Sequence, residues 1–157
     1  MPKFHLTTFW LIPAPVKTVW SCLVDTETWP SWWKYVIAVE QMEEGDINGI
    51  NNVRRYYWRT CLPYSLMLNL RVTQIQANRF INVEVTGDLQ GEGICQLTSA
   101  GSTNQTQVEF KWRVYTCKPW MNWFASLTRP IFAWNHARVM KKGEQSLIQH
   151  LATMKNS

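Results

Sequence analysis

Histidine, cysteine and charge are all scarce in this chain of 157 residues. Its four cysteines, Cys22, Cys61, Cys95 and Cys117, lie far apart and form no C-x-x-C pair. The three histidines, His5, His136 and His150, share no ligand spacing. That pattern excludes a zinc module or a disulfide scaffold, so the cysteines read as reduced, partly buried thiols and no metal or other cofactor is expected. No apolar run reaches 18 residues, which excludes a membrane-spanning helix of the usual kind. His5, Thr7 and Thr8 interrupt MPKFHLTTFWLIPAPV, which therefore does not read as a signal peptide. The expectation is a cytoplasmic protein, in which the acceptor triplet Asn104-Gln105-Thr106 would stay unglycosylated.

Charged residues make up only 17%, with a net charge of +5. The positive side chains are scattered, their densest group being Arg138, Lys141 and Lys142, and no nucleic-acid motif accompanies them. Nucleic acid is therefore not an expected partner. Catalytic signatures are equally thin. Gly87, Gly91 and Gly93 make no phosphate-binding fingerprint, no serine sits in a nucleophile elbow, and no cysteine has an activating partner. Asp25 and Glu27 stand at a helix start, where carboxylates more plausibly cap than catalyse.

Tryptophan is what the chain has in excess: ten, beside six Phe and five Tyr. Each large aromatic can bury roughly 150–250 Å². Together they exceed what a small core needs, and part of that surface is expected to line a cavity. The stretch DTETWPSWWKYV concentrates three of them, and helical spacing puts Trp29, Trp32 and Trp33 on one face.

The patterning predicts a strand over residues 3–13, a short helix from Pro15 to about Val24, and a second short helix carrying the tryptophans. A series of about six strands follows, with GDING as a hairpin loop. The clearest strand is YSLMLNLRVTQI, in which Leu66, Leu68, Leu70 and Val72 face one way. In Ile50–Thr60, Tyr56 and Trp58 share a face; in QVEFKWRVY, Val108, Phe110, Trp112 and Val114 do. The run GDLQGEG is expected to break the strands. KPWMNWFASLTRP then reads as a short helix ending before Pro130, its Trp120, Trp123 and Phe124 directed to the core or to a membrane interface. From Pro130 a long helix carries an apolar stripe of Phe132, His136, Met140, Gly143, Leu147 and Leu151. These elements make an α+β domain spanning residues 1–157, with a curved antiparallel sheet wrapped around the terminal helix.

In order and spacing, IPAPVKTVW, DTETWPSWW, RYYW, LPYSL, TGDLQGEG, KWRV, KPWMN and RPIFAWNHARVM resemble the START-like (SRPBCC) superfamily. The resemblance is greatest to its polyketide cyclase/dehydrase and lipid-transport branch, and covers nearly the whole chain. It implies a helix-grip fold with a deep hydrophobic cavity between sheet and long helix. It also implies that Trp29 and Trp33 look into that cavity, as their counterparts do in family cyclases.

The expected function is binding, and carrying, of a hydrophobic or aromatic small molecule, lipid or polyketide-like, in this cavity. Its lining is expected to include Trp29, Trp33, Tyr56, Trp58, Leu68, Leu70, Trp112, His136 and Met140, with Tyr56 and His136 fixing a polar group. A cyclase or dehydratase is the competing reading, in which His136 would serve as general acid or base. It is disfavoured because no carboxylate is placed to pair with His136 and the inward faces read as almost wholly apolar; no catalytic residue is assigned. A membrane-associated lipid-handling module, touching a membrane surface transiently, is the third.

Overall fold

The computed structural model describes residues 3–60, 64–117 and 125–155, with side chains at all of these but 102, 103 and 125–128. After β1 (Lys3–Ile12) come α1 (Val16–Val24), a 3-10 turn (Thr26–Thr28) and α2 (Trp29–Trp32). Six strands follow: β2 (Val36–Glu43), β3 (Val53–Arg59), β4 (Ser65–Gln76), β5 (Phe80–Gly87), β6 (Leu89–Ala100) and β7 (Ser102–Thr116). The chain closes with α3 (Ala125–Lys155). Pro15 stands at the N-cap of α1, extended at φ −62° and ψ 153°, where a missing N–H costs nothing.

All seven strands form one antiparallel sheet in the order β1-β7-β6-β5-β4-β3-β2. Only β1 is out of sequence, because the short helices carry the chain from one edge of the sheet to the other. The period-two pattern then decides which side chains face inward. On β3 and β4, Arg54 pairs with Leu70, Tyr56 with Leu68 and Trp58 with Leu66. On β7, Trp112 lies between Leu6 of β1 and Gly93 of β6.

Two apolar clusters fill the inner side. One gathers Trp10, Val19, Trp33, Phe110, Met140 and Leu147; the other gathers Phe4, Leu68, Val85, Val114 and Phe132. The stripe read from the sequence turns inward on α3, while Trp134, Arg138, Lys141 and Gln145 stay exposed.

Three boundaries differ from expectation. The glycine-rich run breaks the strands only at Asp88: β5 ends at Gly87, and β6 begins at Leu89 and includes Gly91 and Gly93. Glycine suits that place because a Cβ on Gly93 would lie 2.8 Å from Cζ3 of Trp112, and its absence lets the indole lie across the neighbouring strand. Pro130 does not separate two helices but sits inside α3, in its second turn. So early in a helix it removes one hydrogen bond without ending the run. Strand β7 begins at Ser102, where a loop is expected from the sequence. Trp120, Trp123 and Phe124 lie outside the described residues.

A candidate ligand chamber divided by tryptophan

The aromatic motif is built by a single turn of helix. Trp29 begins α2 with Pro30 behind it, and Trp33 leaves in an extended conformation at φ −111°; Trp32 and Trp33 stack at 5.8 Å, while Trp29 meets Trp32 edge to face at 6.3 Å. Trp29 stacks on Tyr56 with ring centroids 5.7 Å apart. Trp33 meets Trp58 edge to face at 5.0 Å and Trp10 at 5.3 Å. Pairs of this geometry each add about 0.5–1.5 kcal/mol beyond burial.

Trp33 is anchored more firmly than its neighbours. It is fully buried, and its indole N–H donates to the carbonyl oxygen of Val139 at 3.0 Å. Its ring fills a notch in α3 made by Gly143, where a Cβ would lie 2.5 Å from Cε2 and Cζ2. Trp10 enters the same notch, 2.8 Å from that imagined Cβ. The two indoles thereby fill much of the space between sheet and long helix.

Among the described residues, two voids remain open there that share Trp29, Leu70, Phe110 and Trp112 in their walls. The larger, about 300 Å³, is bounded by α1, the 3-10 turn, the β2–β3 hairpin and the inner face of β3–β7. No described residue of α3 lines it. The smaller, about 100 Å³, lies against α3 and includes Trp33, Trp58, Leu68, His136 and Met140. Tyr56 faces the larger one. All nine residues expected along a cavity therefore border one void or the other. The expected position between sheet and terminal helix holds only for the smaller void, because Trp10 and Trp33 occupy the rest of that space.

One end of the larger void is polar, contrary to the expectation of almost wholly apolar inward faces. Thr26, Gln41, Asn52 and Arg54 line it there. Arg54 faces inward because it stands two residues before Tyr56, a consequence of strand alternation that the sequence already contained. Its Nε donates to Oε1 of Glu27 at 2.6 Å. Glu27 thus pairs across the mouth, and Asp25 makes no side-chain cap either. Both members of that ion pair are partly exposed, so it contributes at most about 1 kcal/mol. Asn52 is buried; its Nδ2 donates to Oε1 of Gln41 and to the carbonyls of Glu43 and Glu44 at 2.9–3.0 Å. The hairpin tip beyond it presents a fully exposed Ile47 beside the opening.

Desolvation shifts three titratable groups on these walls, Tyr56, Cys95 and His136. Burial, assisted by Glu27, pushes the Tyr56 hydroxyl up to about 12, against opposing contributions from the Thr26 side chain and Arg54. Burial alone pushes the Cys95 thiol up to about 12 and the His136 imidazole down to about 4. Among the described residues no three His, Cys, Asp or Glu side chains converge as metal ligands.

The model of the family described as polyketide cyclase/dehydrase and lipid transport matches residues 3–152. The chain belongs to this family. The family's seven-stranded sheet, long terminal helix and early short helices recur in solved structures. The Zhui aromatase/cyclase from Streptomyces sp. R1128 superposes with a TM-score of 0.77 at 16% identity, over 94% of this chain and 93% of that one. A START superfamily protein from Mycobacterium smegmatis superposes at 0.76 with 13% identity, over 96% and 98%. Such low identities establish the helix-grip fold alone. No curated protein matches the sequence significantly. Within the family frame, Trp10, Asn52 and Gly143 are contributors that sequence reasoning did not assign to the site. Gly143 left a trace, a glycine on an otherwise apolar helical stripe.

Proposed function

We propose that this family member binds an apolar or aromatic small molecule in the chamber bordered by Trp29, Tyr56, Leu70 and Trp112, in keeping with a role in carrying it. The observation that supports this reading most directly is the void of about 300 Å³, apolar over most of its wall and polar at one end. That volume lies at the lower end of the ~300–1,000 Å³ usual for small-molecule sites. The smaller void shares Trp29, Leu70, Phe110 and Trp112 with it. Quenching of the intrinsic tryptophans by a panel of fatty acids, sterols, quinones and polyaromatics tests the reading. A saturable response to at least one class is expected, and none anywhere would defeat it.

The competing reading is a cyclase or dehydratase, favoured by the inward placement of Tyr56, Arg54 and His136 and by the likeness to an aromatase/cyclase fold. Proton transfer works best when the group titrates near the working pH. Tyr56 near 12 and His136 near 4 lie far from neutrality in opposite directions. Binding is therefore the reading the electrostatics support. If His136→Ala abolished turnover of an accepted polyketide while leaving its binding intact, catalysis would take precedence.

A further inference from the structure

The smaller void contains two polar atoms that apolar packing does not explain. The indole Nε1 of Trp58 and the imidazole Nε2 of His136 are both buried, and among the described residues neither has a hydrogen-bond partner. Both side chains line this one void of about 100 Å³, whose wall is otherwise mostly Leu, Val, Met and aromatic carbon. A buried polar atom left unpaired forfeits the hydrogen bond it made to water, so two in one small space call for a shared partner.

We propose that this void seats a hydroxyl group carried on an apolar ring, with the Trp58 N–H donating to its oxygen and His136 Nε2 as its second partner. The inference rests on the chamber being a ligand site. The chemistry narrows the class. An indole N–H only donates, so the ligand atom facing it must accept, which excludes an ammonium or an amide N–H there. Imidazole nitrogen accepts or donates according to its tautomer, and a hydroxyl answers either. Burial that holds His136 down to about 4 leaves it uncharged near neutrality, so it offers no counter-charge to a carboxylate. Arg59, which also lines the void, is exposed. In size the void is smaller than the ~150 Å³ cavity that takes a benzene molecule. It suits a hydroxyl and the edge of its ring, with the rest of the ligand passing Trp29 into the larger chamber.

Calorimetric titration of the full chain near neutral pH with naphthalene, 2-naphthol, 2-methoxynaphthalene and 2-naphthoate tests this. The expected order is 2-naphthol at least about tenfold tighter than naphthalene, with the methoxy compound between them because it accepts from Trp58 but donates nothing. In Trp58→Phe and in His136→Leu, the advantage of 2-naphthol over naphthalene is expected to shrink to within about threefold while naphthalene itself still binds. His136→Leu removes an orphaned polar atom at similar volume, so its melting temperature should hold or rise, whereas Trp58→Phe also loses ring volume and contact with Trp33 and should melt lower; if one fails to fold, the other decides. Equal binding of 2-naphthol and naphthalene would overturn the hydroxyl seat and leave the chamber reading standing. An advantage that survives both substitutions would also overturn it, by moving the hydroxyl to the Asn52–Tyr56 end. Tighter binding of the naphthoate would overturn it in favour of Arg59. Failure of all four compounds to bind would remove both the seat and the chamber on which it rests.

Discussion

Adding one methyl group at Gly143 would place a carbon 2.5 Å from two atoms of Trp33, well inside contact distance. The ring cannot step back freely, because its N–H is tied to Val139 and its edge to Trp10 and Trp58. In an ordinary helix Gly→Ala would gain about 1 kcal/mol. Overpacking costs about 1–3 kcal/mol, so the clash should win: Gly143→Ala is expected to lower the urea midpoint with an unchanged slope. A second prediction belongs to His136. The unfolded imidazole takes up its proton near pH 6.5, the folded one only near 4, so the unfolded state binds more protons between those values. Stability therefore rises with pH through that window and is lost on acidification, by up to on the order of 3 kcal/mol. Unfolding curves at pH 7, 5.5 and 4.5 should show this slope, and His136→Leu should flatten it.

Among the elements, α3 and the β2–β3 hairpin make separate predictions. Pro130 deprives α3 of one backbone hydrogen bond, and past the first turn a proline costs up to ~3 kcal/mol. Pro130→Ala is expected to stabilise by about 1–2 kcal/mol, less than the full penalty because alanine also frees the unfolded chain; chemical denaturation measures it. In the hairpin, Oδ1 of Asp46 accepts from the backbone N–H of Asn48 and Ile50 at 2.8 and 3.0 Å. These bonds hold the loop that presents Ile47 beside the chamber mouth. Asp46→Ala should speed hydrogen exchange at those two amides, by about fivefold for about 1 kcal/mol lost, while leaving β5–β7 protected. Elements such as α1, β4 and α3 were legible because apolar residues recur at one unbroken period. The β6 boundary was not, since glycine signals a turn unless a neighbouring strand supplies the indole that needs the space.

For the molecule as a whole, a compound that enters the chamber should stabilise the fold in proportion to its occupancy. At a hundred times its Kd the gain is about 2.7 kcal/mol, or about 5–10 °C in Tm for a domain of this size. Thermal scans with each quenching compound check this. A compound that quenches without raising Tm binds to exposed tryptophan such as Trp134 instead of the interior. Calorimetry should also return a negative heat-capacity change for true entrants, because apolar surface leaves water.

Period and composition by themselves determined the order of most elements and the inward stripe of α3, and together with the family resemblance they picked out nine of the residues that border the voids. Those follow from local rules, since a side chain's face depends on its own neighbours along the chain. Only the tertiary structure decided how much of the interior stays empty and where. That outcome depends on Trp10, Trp33 and Gly143, brought together from a strand, the end of α2 and α3. Ring volume is a property of the residue, but whether it fills a space is settled by what stands opposite, and no single segment carries that information.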